Sequence, residues 1–256
     1  MATMTLFHSP LSPFVRKVMV VLYETSQLER VKLQAVNISP VSGDPQLNQD
    51  NPIGKIPALR LDDGTVLHDS RVICEYLDLQ HVGLPLLPRE GSARWRRMTL
   101  VSQADAIMDA AVSSRYESFL RPEDKRSVGW VQAQGDKIRR SLANLQQEHL
   151  PELVSGFDLA AIGVACALGY LDLRQPEFGW RERQPGLAAW YARVGKRAAV
   201  FTSTPTPLTE EMTQSSSERL RAFWSTSCWY WPTPMDLGSS FTSSASGSMR
   251  RRPMET

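Results

Sequence analysis

Three cysteines, Cys74, Cys166 and Cys228, are all that the 256 residues contain, and they lie far apart with no CxxC partner. An odd, scattered set supports neither a disulfide framework nor a thiolate metal site, and it fits a reducing, cytoplasmic compartment. Long apolar runs are missing as well. No stretch approaches the roughly 20 apolar residues that cross a bilayer, which argues against a membrane-spanning chain. The opening "MATMTLFHSP" has neither a basic leader nor an extended apolar region, and nothing in it asks for export. Charge of one sign is also scarce: the formal net charge is +2. Residues 86–207 hold 17 basic and 13 acidic side chains, a surplus too thinly spread to make a nucleic-acid-binding face.

What is present is 42% hydrophobic and 22% charged, the composition of a globular protein long enough for two ordinary domains. Residues 1–82 alternate short extended and helical segments. "TLFHS" (5–9) predicts a strand. The apolar residues Val15, Val18, Met19 and Leu22 then recur at spacings of three and four, which predicts a helix burying one face. "VKLQAVNI" (31–38) predicts a second strand, and the Pro-, Gly- and Asn-containing "SPVSGDPQLNQDNPIG" a loop with room for one helical turn. In "KIPALRLDDGTVLHDS" two short strands meet through Asp62, Asp63 and Gly64, since an Asp-Gly pair between extended segments favours a hairpin. A helix follows with Val72, Ile73, Tyr76 and Leu77 along one side. These elements make a small α/β sandwich, and "HVGLPLLP" points to a linker over 83–90.

Residues 91–207 are helical in pattern. Trp95, Met98, Val101, Ile107, Met108 and Val112 mark a buried stripe of one long helix, and Ile138, Leu142 and Leu145 mark another. "SGFDLAAIGVACALGYLDL" is nearly free of charge through its middle and reads as the central helix of a bundle. Asp158 is placed to cap it, with Phe157 and Ile162 as a hydrophobic staple, but Ala161 stands where a capping box needs an acid or amide. The cap is half built. Residues 208–256 read as a Ser/Thr/Pro-rich, largely disordered tail, because such a composition buries too little to offset chain entropy. Within it Ser215 and Glu218 can cap a short helix, and Trp224 to Trp231 gather aromatic area.

The chemistry concentrates in "SPLSPFVRKV" (9–18). Pro13 suits a first helical position and Ser12 suits the N-cap, so both Ser12 and Ser9 read simply as punctuation between strand and helix. A hydroxyl at a helix N-terminus can also donate its proton to an anion that already gains from the helix dipole. No neighbour offers a general base to make serine a nucleophile. Donation to a bound thiolate needs none, and it lowers the thiol pKa.

Three separated segments, "SPLSPFVRKV", "NPIGKIPALRLDDGTVLHDSRVICEYL" and "FDLAAIGVACAL", together resemble the cytosolic glutathione transferases. They are most similar to bacterial members that carry a serine where glutaredoxins have their first cysteine. The resemblance covers residues 4 to about 205 and implies an α/β, thioredoxin-like glutathione-binding domain over 1–82, then an all-α helical bundle domain over 91–207. It implies that Ser12 hydrogen-bonds the glutathione thiolate, with Ser9 the lesser candidate. Pro57 matches the family's cis-proline, which presents the Ile56 backbone to the cysteinyl part of glutathione. Asp69 and Ser70 match an acid-serine pair that holds the γ-glutamyl end, Asp69 being one methylene shorter than the usual Glu. Lys55 is placed to meet the glycyl carboxylate but reads equally well as an exposed loop lysine, while Arg16 and Lys17, near the same end, read more readily as solvated helix residues.

The resemblance implies a transferase that uses glutathione as co-substrate, needs no metal and works as a homodimer. Its thiolate attacks an electrophile held against a largely apolar helical wall. Two other readings stay open: a glutathione-dependent reductase or dehalogenase on the same scaffold, and a non-enzymatic interaction protein. Protein-borne disulfide exchange is disfavoured because "SPFV" has no cysteine. Tyr116, Phe119 and Trp190 fit either the electrophile pocket or the bundle core, since helical periodicity does not separate the two.

Overall fold

In the computed structural model, which describes residues 4–204, β1 (Met4–His8), β2 (Val31–Ala35), β3 (Ala58–Arg60) and β4 (Val66–Leu67) form one sheet in the order β2-β1-β3-β4. β1 and β2 are parallel, with Leu6 opposite Leu33; the other pairs are antiparallel, with Leu6 opposite Leu59 and Leu59 opposite Leu67. A parallel pair needs a crossover, and α1 (Pro13–Glu24) supplies it. Ser12 is the N-cap of α1, its hydroxyl accepting from the Val15 N–H at 3.3 Å, and Pro13 opens the helix.

Adjacent β1 residues Leu6 and Phe7 are both buried because both faces of the sheet are covered. Leu6 shares a core with Val18 of α1 and with Ile73 and Leu77 of α3 (Ser70–Leu79). Phe7 instead packs with Val36, Leu47 and Ala58. Leu47 belongs to α2 (Pro45–Asp50), a short helix within the stretch read as a loop with room for one helical turn. Its start repeats the chemistry of Ser12-Pro13: Asp44 accepts from the Leu47 N–H at 2.9 Å and Pro45 takes the first helical position. The buried side of α3 also differs from the expected one, with Cys74 fully buried and Val72 exposed.

The helical part comprises α4 (Gly91–Leu120), α5 (Val128–Asn144), α6 (Leu150–Ser155), α7 (Leu159–Arg174), α8 (Trp180–Arg183), α9 (Pro185–Val194) and α10 (Ala198–Thr202). A π-helical turn, Leu145–His149, joins α5 to α6. α7 is the central helix: every residue from 159 to 168 is buried, against α4 on one side and α1 on another. Gly163 permits the close approach of α4, since a Cβ there would stand 3.1 Å from the Ala104 methyl. On α4, Val101, Ile107 and Met108 are buried as expected, whereas Trp95 is exposed. The stretch between α3 and α4 has neither helix nor strand, yet Leu86 and Leu87 are buried in it. Leu86 donates to Asp78 Oδ1 at 2.6 Å and accepts from the Leu159 N–H at 2.9 Å, stitching α3 to α7. Among the described residues no helix is long and apolar enough to cross a membrane. The Ser/Thr/Pro-rich stretch, its aromatic cluster and Cys228 lie outside the described residues.

The half-built cap of α7 is braced from another helix. Asp158 Oδ1 accepts from the Ala161 N–H at 3.0 Å, and its Oδ2 accepts from Arg97 Nε of α4 at 2.5 Å. Arg97 also holds Glu152 at 2.8 Å. Asp158→Ala removes a cap and half of the Arg97 anchorage, so a loss of about 2 kcal/mol is expected in urea unfolding. Asp158→Asn, which keeps a capping oxygen, should lose less than half of that.

Candidate functional site

A cleft of about 370 Å³ opens between the α/β part and α4. One wall comes from the loop before β3: Asn51, Ile53, Lys55, Ile56 and Pro57. The start of α3 adds His68, Asp69, Ser70 and Arg71, and Phe14 of α1 adds an aromatic edge. The opposite wall is α4, through Ser102, Asp105, Ala106 and Asp109, spaced so that they share one helical face. That face is small and acidic where the cleft reaches it, unlike the apolar wall expected from the sequence.

Lys55, Ile56, Pro57, Asp69 and Ser70 thus come together around one cavity, although they belong to two separate stretches of chain. The Ile56–Pro57 peptide bond is cis, and so is His68–Asp69. Asn51 braces the loop: fully buried, it donates from Nδ2 to the Lys55 carbonyl at 2.8 Å and accepts from the Ile53 N–H at 3.3 Å. Lys55 itself is exposed. Ser12 and Ser9 lie outside the cleft lining, with Phe14 as the α1 residue that borders it. The Ser12 N–H donates to the Ser9 carbonyl at 3.1 Å, and the Ser12 carbonyl accepts from the Arg16 N–H at 3.0 Å. The Ser12 hydroxyl acts as an acceptor toward Val15, so its own proton stays available.

Asp69 is the N-cap of α3, accepting from the Arg71 N–H at 2.7 Å, and it also pairs with the Arg71 guanidinium at 3.2 Å. Burial alone would raise its carboxyl pKa. The Arg71 hydrogen bonds and charge, helped by Lys17, outweigh burial and hold it below the usual carboxylate range. Ser70, the first residue of the helix, is buried. Arg71 reaches onward to Asp105 Oδ2 at 3.6 Å, and Asp105 Oδ1 takes the ammonium of Lys17 at 2.5 Å. Burial pushes the Asp105 carboxyl up, against the pull of Lys17 and Arg71. Alternating charges Asp69, Arg71 and Asp105 along the cleft, and Lys17 behind it, therefore link α3, α4 and α1.

Arg16 and Lys17 are both buried, which overturns their reading as solvated helix residues. Arg16 bonds the far end of the helical part, donating to the Val200 carbonyl at 3.1 Å and the Thr204 hydroxyl at 2.9 Å. Trp190 is a core residue whose indole N–H donates to the Leu153 carbonyl at 2.8 Å. Asn51, Arg71 and Asp105 are the site residues that sequence reasoning passed over; Asn51 and Arg71 lie inside the segment that carried the resemblance, and Asp105 had no local signal. Cys74 and Cys166 are buried, their thiols pushed up to about 12 and about 11 chiefly by desolvation. Neither can serve as a thiolate near neutral pH, so among the described residues no cysteine supplies a sulfur nucleophile to this cleft. Among the described residues no group of His, Cys, Asp and Glu is arranged to hold a metal ion. What the cleft offers instead is cations and carboxylates, suited to a zwitterionic ligand.

Comparison with known proteins bears on the same segments. Residues 6–85 match the family model for the glutathione S-transferase N-terminal domain, and residues 129–193 match that for the C-terminal domain. The chain is 34% identical over 208 residues to the uncharacterized GST-like protein YibF of Escherichia coli K12, covering 79% of this chain and 98% of that one. A glutathione transferase family member from Pseudomonas fluorescens Pf-5, solved with bound glutathione, is 60% identical, with a TM-score of 0.79 over 80% of this chain and all of that one. A second structure from that strain, with bound S-(propanoic acid)-glutathione, has 57% identity and a TM-score of 0.75 at the same coverage. The thioredoxin-like sheet layer, the helical part and these matches agree, and the chain belongs to the glutathione S-transferase family.

Proposed function

We propose that this protein binds glutathione in the cleft and transfers its thiolate to a small electrophile. The observation that carries the reading is the convergence of the Ile56–Pro57 edge, the α3 start and Lys55 on one cavity, together with glutathione bound in a 60% identical structure. In this reading the Ile56 backbone pairs with the cysteinyl peptide unit, Asp69 and Ser70 hold the γ-glutamyl end, and Lys55 meets the glycyl carboxylate. Ser12, at the mouth of α1, donates its hydroxyl proton to the sulfur, where the helix dipole adds to the effect. Ser9 is the lesser candidate for that contact. The chain's contribution is a lowered thiol pKa and the proximity of two bound reactants. The S-(propanoic acid)-glutathione in the Pseudomonas fluorescens protein is a thioether whose sulfur substituent ends in a carboxylate, which supports electrophiles bearing an acid group. Family membership supports a cytoplasmic homodimer.

The expected result of isothermal titration with glutathione is binding by the wild-type chain and about tenfold weaker binding by Asp69→Ala, the loss of one charge-assisted contact. Ser70→Ala should weaken binding by about fivefold. Unchanged affinity in both variants would remove the γ-glutamyl end from the α3 start. Conjugation itself is read from the absorbance of the bound thiolate as pH rises, followed by thioether formation on adding an electrophile.

A further inference from the structure

The loop that forms one wall of the cleft is folded around a single residue, Asn51. Its carbonyl accepts from the Gly54 N–H at 2.9 Å, its Oδ1 accepts from the Ile53 N–H at 3.3 Å, and its Nδ2 donates to the Lys55 carbonyl at 2.8 Å. Three consecutive loop residues are thus bonded to one. The two held by the side chain, Ile53 and Lys55, both line the cleft. Asn51 is itself fixed to the α/β core. It caps the end of α2, donating its N–H to the Leu47 carbonyl at 2.7 Å, and Leu47 packs with Phe7 of β1. Beside it, Asp50 pairs with Arg60 of β3 at 2.8 Å.

A fully buried amide loses its hydration on folding, and it is retained at low cost only where its hydrogen bonds are made. Here both side-chain bonds run to backbone that belongs to no helix or strand. Lys55 is the opposite case: its side chain is exposed and, among the described residues, no carboxylate pairs with it. An exposed ammonium on a mobile backbone gains little from meeting a carboxylate, because ordering the cation offsets most of the attraction. Fixing the Lys55 carbonyl removes the backbone share of that cost before any ligand arrives.

We infer that Asn51 is a positioning residue for the glycyl end of glutathione: by gripping Ile53 and Lys55 it holds the Lys55 ammonium where the glycyl carboxylate binds, and so sets a preference for a free C-terminal acid. The inference rests on the glutathione reading of the cleft and deepens it at one end of the ligand. Among the described residues Asn51 makes no hydrogen bond to the α3 start, where Asp69 and Ser70 stand. Recognition of the γ-glutamyl end is therefore indifferent to it.

Isothermal titration of the full chain with three ligands tests this: glutathione, its C-terminal amide, which matches it in size but lacks the terminal charge, and glutaryl-Cys-Gly, which lacks the γ-glutamyl ammonium. The wild-type chain should favour glutathione over the amide by about fivefold. Lys55→Met and Asn51→Ala should each bring that ratio below about twofold, and the double variant should bring it no lower, since the two residues act through one contact. The preference for glutathione over glutaryl-Cys-Gly should stay within about twofold of wild type in Asn51→Ala. A residue that merely kept the site folded would lower both preferences together. Thermal melts check folding, and Asn51→Ser, whose shorter side chain does not reach Lys55, stands in if Asn51→Ala does not fold. Equal binding of glutathione and its amide by the wild type overturns the inference, as does an amide ratio unchanged in the Asn51 variant or a joint loss of both preferences. Failure of the wild-type chain to bind any of the three ligands overturns the glutathione reading itself.

Discussion

Asp105→Asn is expected to destabilise the protein by about 3–5 kcal/mol and to lower Tm by roughly 10 °C. Lys17 exposes 0% of its side chain, and its ammonium meets Asp105 at 2.5 Å. An asparagine nearly matches the volume of the aspartate, so the loss comes from charge and not from a cavity. A buried cation that keeps its charge without a counter-ion carries its full desolvation cost. Because well-packed apolar groups can replace a buried ion pair at little cost, Lys17→Met combined with Asp105→Leu should recover most of the stability. A Tm within about 2 °C of wild type for Asp105→Asn would show that water reaching the carboxylate already screens the pair. The same substitution should weaken glutathione binding through a second route. Asp105 steadies Arg71, and Arg71 steadies Asp69 at the α3 start.

How much of this was legible in the sequence depended on whether the signal was local. Ser12-Pro13 and the Asp63-Gly64 turn each act within a few residues, and helix α1 and the β3-β4 hairpin stand where they were expected. The central helix was legible because ten consecutive buried positions leave no polar face to confuse its reading. α2 was underestimated although Asp44-Pro45 carries the same cap chemistry as Ser12-Pro13; a single buried residue, Leu47, gives no period to detect. The burial of Arg16 and Lys17 was hidden for a different reason. Their partners, Val200, Thr204 and Asp105, lie 88 to 188 residues away, and charged residues on a helix default to solvent when no local acid claims them. Asp105 was invisible for the same cause, and with it the acidic character of the α4 wall. Sequence could assemble the α/β side of the cleft from "NPIGKIP" and "HDSR", where neighbours in the chain are neighbours in the site. It could not assemble the opposing wall, whose chemistry exists only after α4 packs across it.

The thiol pKa of bound glutathione should rise in the Ser12→Ala protein toward roughly 8.5, the ordinary thiol value, and stay depressed in Ser9→Ala. Ser12 sits at the N-cap of α1, where the dipole already favours an anion. Its oxygen accepts from the Val15 N–H at 3.3 Å, which leaves the one hydroxyl proton free to donate outward. Ser9 lies in the turn before the helix, its carbonyl occupied by the Ser12 N–H, and the following Pro10 keeps it extended. The substitution carries a structural cost that has to be separated from the chemical one: loss of the cap alone destabilises by about 0.5–2 kcal/mol. Ser12→Asn separates them, because asparagine caps as well as serine and offers no hydroxyl of that reach. If Ser12→Asn restores the Tm but not the low thiol pKa, the hydroxyl proton is what activates sulfur. A thiol pKa that stays low in Ser12→Ala, measured where the variant is fully folded, would leave the helix dipole as the sole source of activation and return Ser12 to the role of a cap. A rise confined to Ser9→Ala would move the contact three residues upstream, out of the helix and onto the turn.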